Sequence, residues 1–278
     1  MQERIIVSLT TWSKRIGNIP TVLDSIFSQT LPPDFVVLNL AFDEVIPDEI
    51  KNYINNHTIE INRVPDTKVY KKLIPTLLKY PEDCIISIDD DWIYPPQMIE
   101  DFMNIHQKYP KNPISGNKFV YSGVQCHCGC ASLTKAIYFG EFLNNIDDDV
   151  IRNCTSDDSV YTFFCNKSGH PYIRTSGLYF TNMESYNNNE PYSQSLSSNN
   201  AGKSFNYLIN RFGRLKTNTL YFTQDKYTFE LIEDILSKTR EQMDHYKDSI
   251  NYYKKSYDYR IGFLILKPIR WIVNLLQK

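Results

Sequence analysis

A short apolar strand that ends in three consecutive aspartates constrains this chain more than any other part of its sequence. Cys84–Ile88 is apolar except at Ser87, and Asp89, Asp90 and Asp91 follow it directly. Such a run is typical of a central strand in a parallel sheet, buried on both faces. In open α/β sheets, ligands bind beyond the carboxyl ends of the strands. The sequence therefore predicts an α/β sheet with an acidic ligand site at one edge.

The spacing of these aspartates suits a divalent cation. Mg²⁺ and Mn²⁺ prefer oxygen ligands, and Mg²⁺ typically takes one or two carboxylates and leaves its other positions to water and phosphate oxygens. Asp89 and Asp91 can therefore share one ion. The alternative is a solvated acidic turn. We interpret a second triplet, residues 147–149, in that way, because it follows a helix-like stretch, Ala136–Asn145, rather than a buried strand.

Size, charge and cysteine spacing exclude several classes of protein. The chain has 278 residues, enough for one large domain and an appendage, and a formal net charge of −2 at pH 7. Without a basic excess, a general nucleic-acid binder is not expected. The six cysteines are not spaced as a disulfide framework, and Met1–Arg4 lacks the apolar run of a signal peptide. We therefore expect the protein to lie in a reducing compartment, the cytoplasm.

Apolar strands alternate with helical patterns through residues 1–215, which we predict to form one domain. The predicted elements are a strand at Arg4–Leu9, a helix at Ile19–Gln29, a strand at Phe35–Leu40, a helix at Val69–Lys79, the acidic strand, and a helix at Ser159–Asn166. This alternation indicates a Rossmann-like, mostly parallel sheet flanked by helices. No glycine fingerprint follows the first strand, so NAD is not expected.

The C-terminal part of the chain has three different patterns. Residues 181–206 are rich in Asn and Ser and are predicted to form a mobile loop or an excursion over the site. Residues 222–256 carry a heptad register, which either a coiled-coil dimer or a helix docked on the domain explains; self-association is favoured. Residues 257–278 are apolar but contain cations and a proline, which favours an amphipathic helix at a membrane interface; a helix packed on the core is the alternative.

Four segments together carry a resemblance to a known family. They are Ile5–Thr11 (IIVSLTT), Leu23–Thr30 (LDSIFSQT), the acidic strand, and Thr155–Val160 (TSDDSV). In this order the chain resembles the family 2-like glycosyltransferases with the GT-A fold over residues 4–180. The resemblance implies transfer of a sugar from a nucleotide-diphosphate donor, with a UDP-sugar expected, to an acceptor hydroxyl.

The resemblance also implies roles for residues after the first two strands. It places Thr10, Thr11 and Arg15 beside the nucleoside, and Asp43 beside the base. The acidic pair of the family ends the second strand directly, whereas Leu40–Phe42 intervenes here, and a turn is the alternative interpretation of Asp43.

Two lysines precede the acidic strand. Lys72, beside Lys71, adds positive charge near the phosphates, although we expect at least one of the two lysines to be an ordinary solvated side chain.

The family pattern divides the aspartates between metal and nucleotide. It assigns Asp91 to the metal, Asp89 to the ribose or to the metal through a water molecule, and Asp90 to the nucleotide without a defined role; Mn²⁺ or Mg²⁺ is the expected cofactor. The second position of the later acidic pair, Asp158, is the expected general base of an inverting reaction. Asp157, its partner, either shares this catalytic role or caps the following helix, as the preceding serine also can.

The segment Cys126–Cys130 (CHCGC) suggests zinc, but this tight run lacks the separated pairs of ligands typical of zinc sites. By resemblance, we favour a loop that flanks donor and acceptor.

The predicted function is sugar transfer to a glycan or lipid-linked acceptor in bacterial surface polysaccharide synthesis, such as capsule or O-antigen, at the inner face of the cell membrane. A sugar nucleotidyltransferase and a non-catalytic scaffold for polysaccharide synthases remain the alternatives.

Overall fold

The computed structural model describes residues 3–116, 120–121, 124–125, 127, 130–175, 181–182 and 198–215. All of them lie in one compact unit, Met1–Tyr221. The predicted heptad helix at 222–256 and the predicted membrane-interface segment at 257–278 lie outside the described residues.

The described residues form strands and helices in an alternating order. The strands are β1 Ile5–Thr10, β2 Phe35–Ala41, β3 Ile59–Val64, β4 Cys84–Ile88, β5 Trp92–Ile93, β6 Ile114–Ser115, β7 Val120–Tyr121, β8 Val124–Gln125, β9 Ala131–Thr134, β10 Ile173–Arg174 and β11 Thr181–Asn182. The α-helices are α1 Ile19–Phe27, α2 Asp48–Asn55, α3 Ile74–Lys79, α4 Met98–Lys108, α5 Asp148–Asn153, α6 Asp157–Lys167 and α7 Ser198–Phe212. Three 3₁₀-helices span Ile16–Asn18, Lys68–Lys72 and Ala136–Asn145.

Seven strands form one mostly parallel sheet in the order β10-β6-β9-β4-β1-β2-β3. β1 is parallel to both β2 and β4, and β2 is parallel to β3. β9 runs antiparallel between β4 and β6. The predicted α/β, Rossmann-like and mostly parallel sheet is confirmed, and the acidic strand β4 lies at its centre.

Helices cover both faces of this sheet because the central strands are apolar on both sides. Val7 and Leu9 of β1 pack with α1, α2 and α4, whereas Ile6 packs with α3, α5, α6 and α7 on the other face. All five residues of β4 are buried. Their burial explains why the apolar run predicted a central strand.

The end of α1 is tied to the start of α4 by Gln29. Its side-chain amide donates to the backbone oxygens of Ser25 and Pro95, at 2.9 and 2.8 Å, and its Oε1 accepts from the backbone N–H of Ile99 at 3.1 Å. The glutamine of the SIFSQT segment is therefore a structural anchor, and α1 ends at Phe27, two residues before the predicted boundary.

Two predicted segments differ from the structure. The predicted helix Val69–Lys79 is a 3₁₀-helix followed by α3, because Pro75 cannot donate a helical hydrogen bond and suits only the first turn of a new helix. The predicted loop 181–206 is wrong for residues 198–206, which belong to α7. Phe205 and Leu208 of α7 pack into the core, and this apolar spacing outweighs the polar composition of the segment.

Candidate active site

The predicted site residues follow neighbouring strands at the carboxyl edge of the sheet. Thr10 ends β1, and its hydroxyl donates to the backbone oxygen of Asn39 on β2 at 2.8 Å. Asp43 is exposed in the turn after β2, which the backbone N–H of Glu44 closes by donating to the oxygen of Ala41. Both residues lie at the edge where β4 delivers the aspartates, and Asp43 occupies a turn, as the alternative interpretation predicts.

The loop after β1 holds the acidic turn 89–91. The hydroxyl of Thr11 donates to Asp90 Oδ2 at 2.6 Å, and Arg15 Nη1 donates to Asp90 Oδ1 and to Asp91 Oδ2, both at 3.0 Å. Burial raises the pKa of Asp90, although the donors Thr11 and Arg15 oppose the rise. Two of the predicted nucleotide ligands, Thr11 and Arg15, thus contact a third, Asp90, and these bonds fix the shape of the turn.

A buried tyrosine holds the backbone of the same turn. The hydroxyl of Tyr94 accepts from the backbone N–H of Asp89 at 3.0 Å, and it lies 2.9 Å from the oxygen of Asp89 and 2.7 Å from the oxygen of Cys130, which precedes β9. Tyr94 therefore ties the acidic turn to the neighbouring strand of the sheet.

Lys72 connects the acidic turn to the second acidic pair. Its Nζ lies 3.0 Å from Asp89 Oδ1 and 3.0 Å from Asp157 Oδ2, and its side chain is only 5% exposed. The backbone oxygen of Lys72 accepts from the hydroxyl of Ser8 on β1 at 2.6 Å, which fixes the 3₁₀-helix against the sheet. Two acidic motifs that are 68 residues apart in sequence therefore share one cation.

The expectation that one of the two lysines is solvated is wrong. Lys71 is also buried, and its ammonium pairs with Asp66 in the loop after β3. Both lysines are buried in the 3₁₀-helix and both have carboxylate partners, so neither is an ordinary solvated side chain.

Burial and charge act in opposite directions on the groups of this site. Burial raises the pKa of Asp89 to about 7; Lys72 opposes the rise and the charge of Asp91 adds to it. Burial alone lowers the pKa of a lysine, but Asp157 and Asp89 hold the pKa of Lys72 well above its ordinary value. The ammonium thus stays charged while negative charge at Asp89 remains incompletely balanced.

The second acidic pair begins helix α6. Ser156 is the N-cap, and its hydroxyl accepts from the backbone N–H of Ser159 at 3.3 Å. The helix start places Asp157 against Lys72 and turns Asp158 toward His127, whose Nδ1 lies 2.8 Å from Asp158 Oδ1. The serine therefore caps the helix, which leaves the pair itself available for other contacts.

Sequence reasoning missed His127 and Tyr94. His127 belongs to the CHCGC segment, whose cysteines drew attention to zinc; Cys126, Cys128 and Gly129 lie outside the described residues. In an extended chain, alternate side chains point to opposite sides, so the sequence pattern by itself predicts a face for the histidine different from that of the cysteines. That alternation was a usable signal for His127, whereas nothing local marks Tyr94.

The site has the donors that Mg²⁺ or Mn²⁺ prefers. Five carboxylates, in residues 89–91 and 157–158, are opposed by two permanent cations, Arg15 and Lys72. The ion pairs engage one oxygen of Asp89 and one of Asp91. An excess of hard oxygen donors, together with the raised pKa of Asp89, fits a divalent cation at this turn.

A second group of metal-ligating residues lies at the other end of β4. Ligand atoms of Glu3, Cys84 and His106 lie within 4.8 Å of one another. Glu3 already pairs with the ammonium of Lys135 and lies 3.2 Å from His106 Nε2. This single carboxylate thus has a cation of its own, whereas the five carboxylates at residues 89–91 and 157–158 share Arg15 and Lys72.

Comparison with known proteins identifies the fold. No protein-family model matches the sequence, and no curated protein matches it significantly. The mannosyltransferase PcManGT from Pyrobaculum calidifontis, solved with GDP-Man and Mn²⁺, is similar with a TM-score of 0.58 and 14% identity over 94% of this chain and 83% of that one. The chain therefore has the GT-A glycosyltransferase fold, as the resemblance implied.

Two weaker similarities accompany this match. S. aureus TarS, in complex with UDP, has a TM-score of 0.46 at 11% identity over 64% of this chain and 59% of that one. A 4-diphosphocytidyl-2C-methyl-D-erythritol synthase has a TM-score of 0.43 at 12% identity over 64% and 90%.

Proposed function

We propose that the chain is a metal-dependent glycosyltransferase that moves a sugar from a nucleotide-diphosphate donor, with UDP-sugars tested first, to a hydroxyl of a glycan or lipid-linked acceptor. One observation carries the proposal: a single ammonium, that of Lys72, lies 3.0 Å from both Asp89 and Asp157. The turn that suits a metal and a diphosphate and the pair that suits a general base therefore lie side by side. The GT-A fold, shared with a mannosyltransferase solved with GDP-Man and Mn²⁺, supports it.

On the donor side, Asp91 and Asp89 are the proposed ligands of Mn²⁺ or Mg²⁺. Such an ion, when bound, offsets the charge that grows on the leaving diphosphate. Lys72, at the end of the 3₁₀-helix Lys68–Lys72, pairs with Asp89, and Arg15, in the loop after β1, pairs with Asp91. These two cations orient the carboxylates and lower the cost of placing them together.

Nucleotide recognition is proposed for the residues that the family resemblance implies. Thr10, Thr11 and Asp43 would line the nucleoside at the ends of β1 and β2. Arg15 would join them and, through its bonds to the acidic turn, also position the aspartates.

On the acceptor side, Asp158 is the proposed general base. Asp157 pairs with Lys72, whereas the side chain of Asp158 is 18% exposed and can be reached from solvent. The acceptor hydroxyl gives its proton to Asp158 while its oxygen forms a bond to the anomeric carbon. The bond from that carbon to the phosphate oxygen breaks, and its electron pair leaves with the nucleoside diphosphate. Attack from the face opposite the diphosphate inverts the anomeric centre.

The acceptor is proposed to be lipid-linked and part of bacterial surface polysaccharide synthesis. This proposal rests on the amphipathic sequence 257–278, at the inner face of the cell membrane. Within the described part of the chain, no helix is both long and apolar enough to cross a bilayer. Cosedimentation with anionic vesicles should weaken in the full chain when Trp271 and Leu275 are replaced by serine; unchanged cosedimentation would remove the membrane proposal.

A panel of nucleotide sugars, assayed for nucleoside diphosphate release with Mn²⁺, tests the reaction. Asp158→Asn should lower turnover by about 10² to 10⁴, the usual contribution of a general base, and should retain donor binding. Wild-type turnover in this variant would mean that another group takes the proton.

Two other outcomes would identify the alternative functions. Release of pyrophosphate instead of a nucleoside diphosphate would identify a nucleotidyltransferase, and absence of metal-dependent nucleotide binding by calorimetry would identify a scaffold.

A further inference from the structure

A buried imidazole joins the proposed general base to the strand that carries the acidic turn. His127 is fully buried. Its Nδ1 lies 2.8 Å from Asp158 Oδ1, and its Nε2 lies 3.2 Å from the hydroxyl of Ser87, two residues before Asp89 on the same chain. One side chain thus connects β4 with the first turn of α6.

The direction of the hydrogen bond to Asp158 follows from the partners. An ionised carboxylate only accepts hydrogen bonds, so Nδ1 of His127 carries a hydrogen and donates the hydrogen bond to Asp158. Nε2 then faces the hydroxyl of Ser87, which also lies 3.3 Å from the backbone oxygen of Ser132 on β9. The imidazole is therefore held at both nitrogens by groups on two different elements.

Neighbouring side chains prevent the imidazole from turning. The rings of Tyr161 and Tyr172 pack edge-on against it, at centroid distances of 5.0 and 5.5 Å. The backbone N–H of His127 donates to the hydroxyl of Thr162 on α6 at 2.9 Å. A donor that is fixed in this way fixes the carboxylate that accepts from it.

We propose that His127 is the positioning residue of the proposed base, and this inference rests on the proposed glycosyltransferase function. By donating to Oδ1, His127 holds the Asp158 carboxylate in one orientation, so that it meets the acceptor hydroxyl at the correct angle. His127 itself contacts neither donor nor acceptor. Loss of its hydrogen bond should therefore slow the chemical step and leave donor binding intact.

The test compares two substitutions with different chemistry. His127→Phe keeps a ring but removes the donor, and should lower kcat by roughly 10- to 100-fold, the usual effect of losing such a supporting partner, with the donor KM unchanged. His127→Asn places an amide nitrogen at the position of Nδ1 and should recover part of the loss. His106→Phe, which removes a buried imidazole at the opposite end of β4, is the control and should keep wild-type turnover.

A double variant separates positioning from a general structural effect. If His127 acts only through Asp158, His127→Phe combined with Asp158→Asn should be no slower than Asp158→Asn alone. Additive losses, wild-type kcat in His127→Phe, or no recovery in His127→Asn would overturn the inference. Metal-dependent UDP binding by calorimetry confirms that each variant is folded; if His127→Phe fails this check, the asparagine variant carries the test.

The same measurements distinguish failure of this inference from failure of the proposed function. A wild-type protein that releases no nucleoside diphosphate from any donor contradicts the function itself. A wild-type enzyme that is active, with His127 variants that are equally active, contradicts only the positioning role.

Discussion

The chain contains two aspartate triplets, at 89–91 and 147–149, and the structure gives them opposite environments. The first follows the buried strand β4 and is held by Arg15, Lys72 and Tyr94. The second is exposed at the start of helix α5, where Asp147 is the N-cap. The same three letters therefore form a candidate metal site in one place and a helix cap in the other. The element that precedes each triplet, a buried strand or a 3₁₀-helix, decides which of these two structures it forms.

The two triplets differ in the direction of their pKa shifts as well as in burial. In the first, burial raises the pKa of Asp89 to about 7. In the second, hydrogen bonds from Arg211 lower the pKa of Asp147 to about 2. At Asp147 a cation and a helix N-terminus stabilise the ionised carboxylate at the surface, whereas at Asp89 the loss of solvation outweighs the stabilisation by Lys72. This imbalance is the physical difference between a cap and a site that attracts a cation.

Substitution of one aspartate in each triplet gives the largest expected contrast. Asp91→Asn should weaken metal-dependent UDP binding by more than about 100-fold, because it removes a charged ligand from the ion. Asp148→Asn makes the same chemical change at an exposed residue of the second triplet and should leave binding unchanged. Isothermal titration with UDP and Mn²⁺ measures the affinity of both variants, and equal affinities would show that the two triplets do not differ in metal-dependent binding.

Removal of Lys72 tests how strongly the first triplet depends on its internal cations. Lys72→Met leaves the carboxylates of Asp89 and Asp157 without their shared partner and should lower the free energy of unfolding by about 3 to 5 kcal/mol. Lys79→Met, which removes an exposed lysine paired with Glu60, should cost no more than about 1 kcal/mol. Urea unfolding at pH 7 compares the two variants; similar losses would show that the buried bridge contributes no more than a surface pair.

Because the pKa shifts of Asp89 and Asp147 are opposite in direction, the two residues should change the free energy of unfolding with pH in opposite directions. The folded-state pKa of Asp89, about 7, lies above its unfolded value of about 3.9, so the folded state holds the proton more tightly and the free energy of unfolding falls as pH rises from about 4 to 7. Asp89→Asn should lack this fall. For Asp147 the folded pKa of about 2 lies below the unfolded value, so its stabilisation is lost as pH falls from about 4 to 2.

Urea unfolding of the wild type and of Asp89→Asn between pH 3 and 8, in metal-free buffer with a chelator, gives the measurement. Parallel curves above pH 4 would mean that Asp89 ionises as easily in the folded chain as in the unfolded one. Repetition with Mn²⁺ should reduce the fall in the wild type, because the ion favours the ionised carboxylate.

The smallest expected effect concerns the cap in the second triplet. Asp147 accepts from the backbone N–H groups of Asp149 and Val150, at 3.1 and 2.9 Å. Asp147→Ala should therefore cost about 1 kcal/mol, the typical contribution of an N-cap side chain. Asp148→Ala, one residue further on, should cost nearly nothing. Nucleoside diphosphate release should be the same in both variants, and a loss of turnover in either would give the second triplet a role in the reaction.

The fold was predictable wherever a segment's own sequence decides its structure. The strands before Thr11 and after Pro33 were expected within one residue of their observed bounds, because their apolar runs are bounded by polar turns. The two errors lie where local signals conflict: Pro75 divides a helical pattern into two helices, and the polar composition of α7 conceals the apolar face that packs on the core.

The site was predictable as a set of carboxylates but not as a network. The aspartates of both acidic motifs were expected because each motif is local in the sequence. The partners that hold them are distant in the sequence: His127 is 31 residues from Asp158, and Lys72 is 17 residues from Asp89. Such pairs form only when the sheet brings separate loops to one edge, so periodicity and spacing do not indicate them.

The bond between Tyr94 and Cys130 has a consequence for how proteins of this architecture can diversify. The two residues are 36 positions apart in sequence, and the phenol of Tyr94 joins the acidic turn directly to the backbone before β9. The stretch between them also contains α4, β6 and His127, whose contacts with the core and with Asp158 limit where its length can change. The exposed loop at residues 109–111, between α4 and β6, is therefore the place in this stretch where sequence can be exchanged without moving the acidic turn, provided that the phenol is retained.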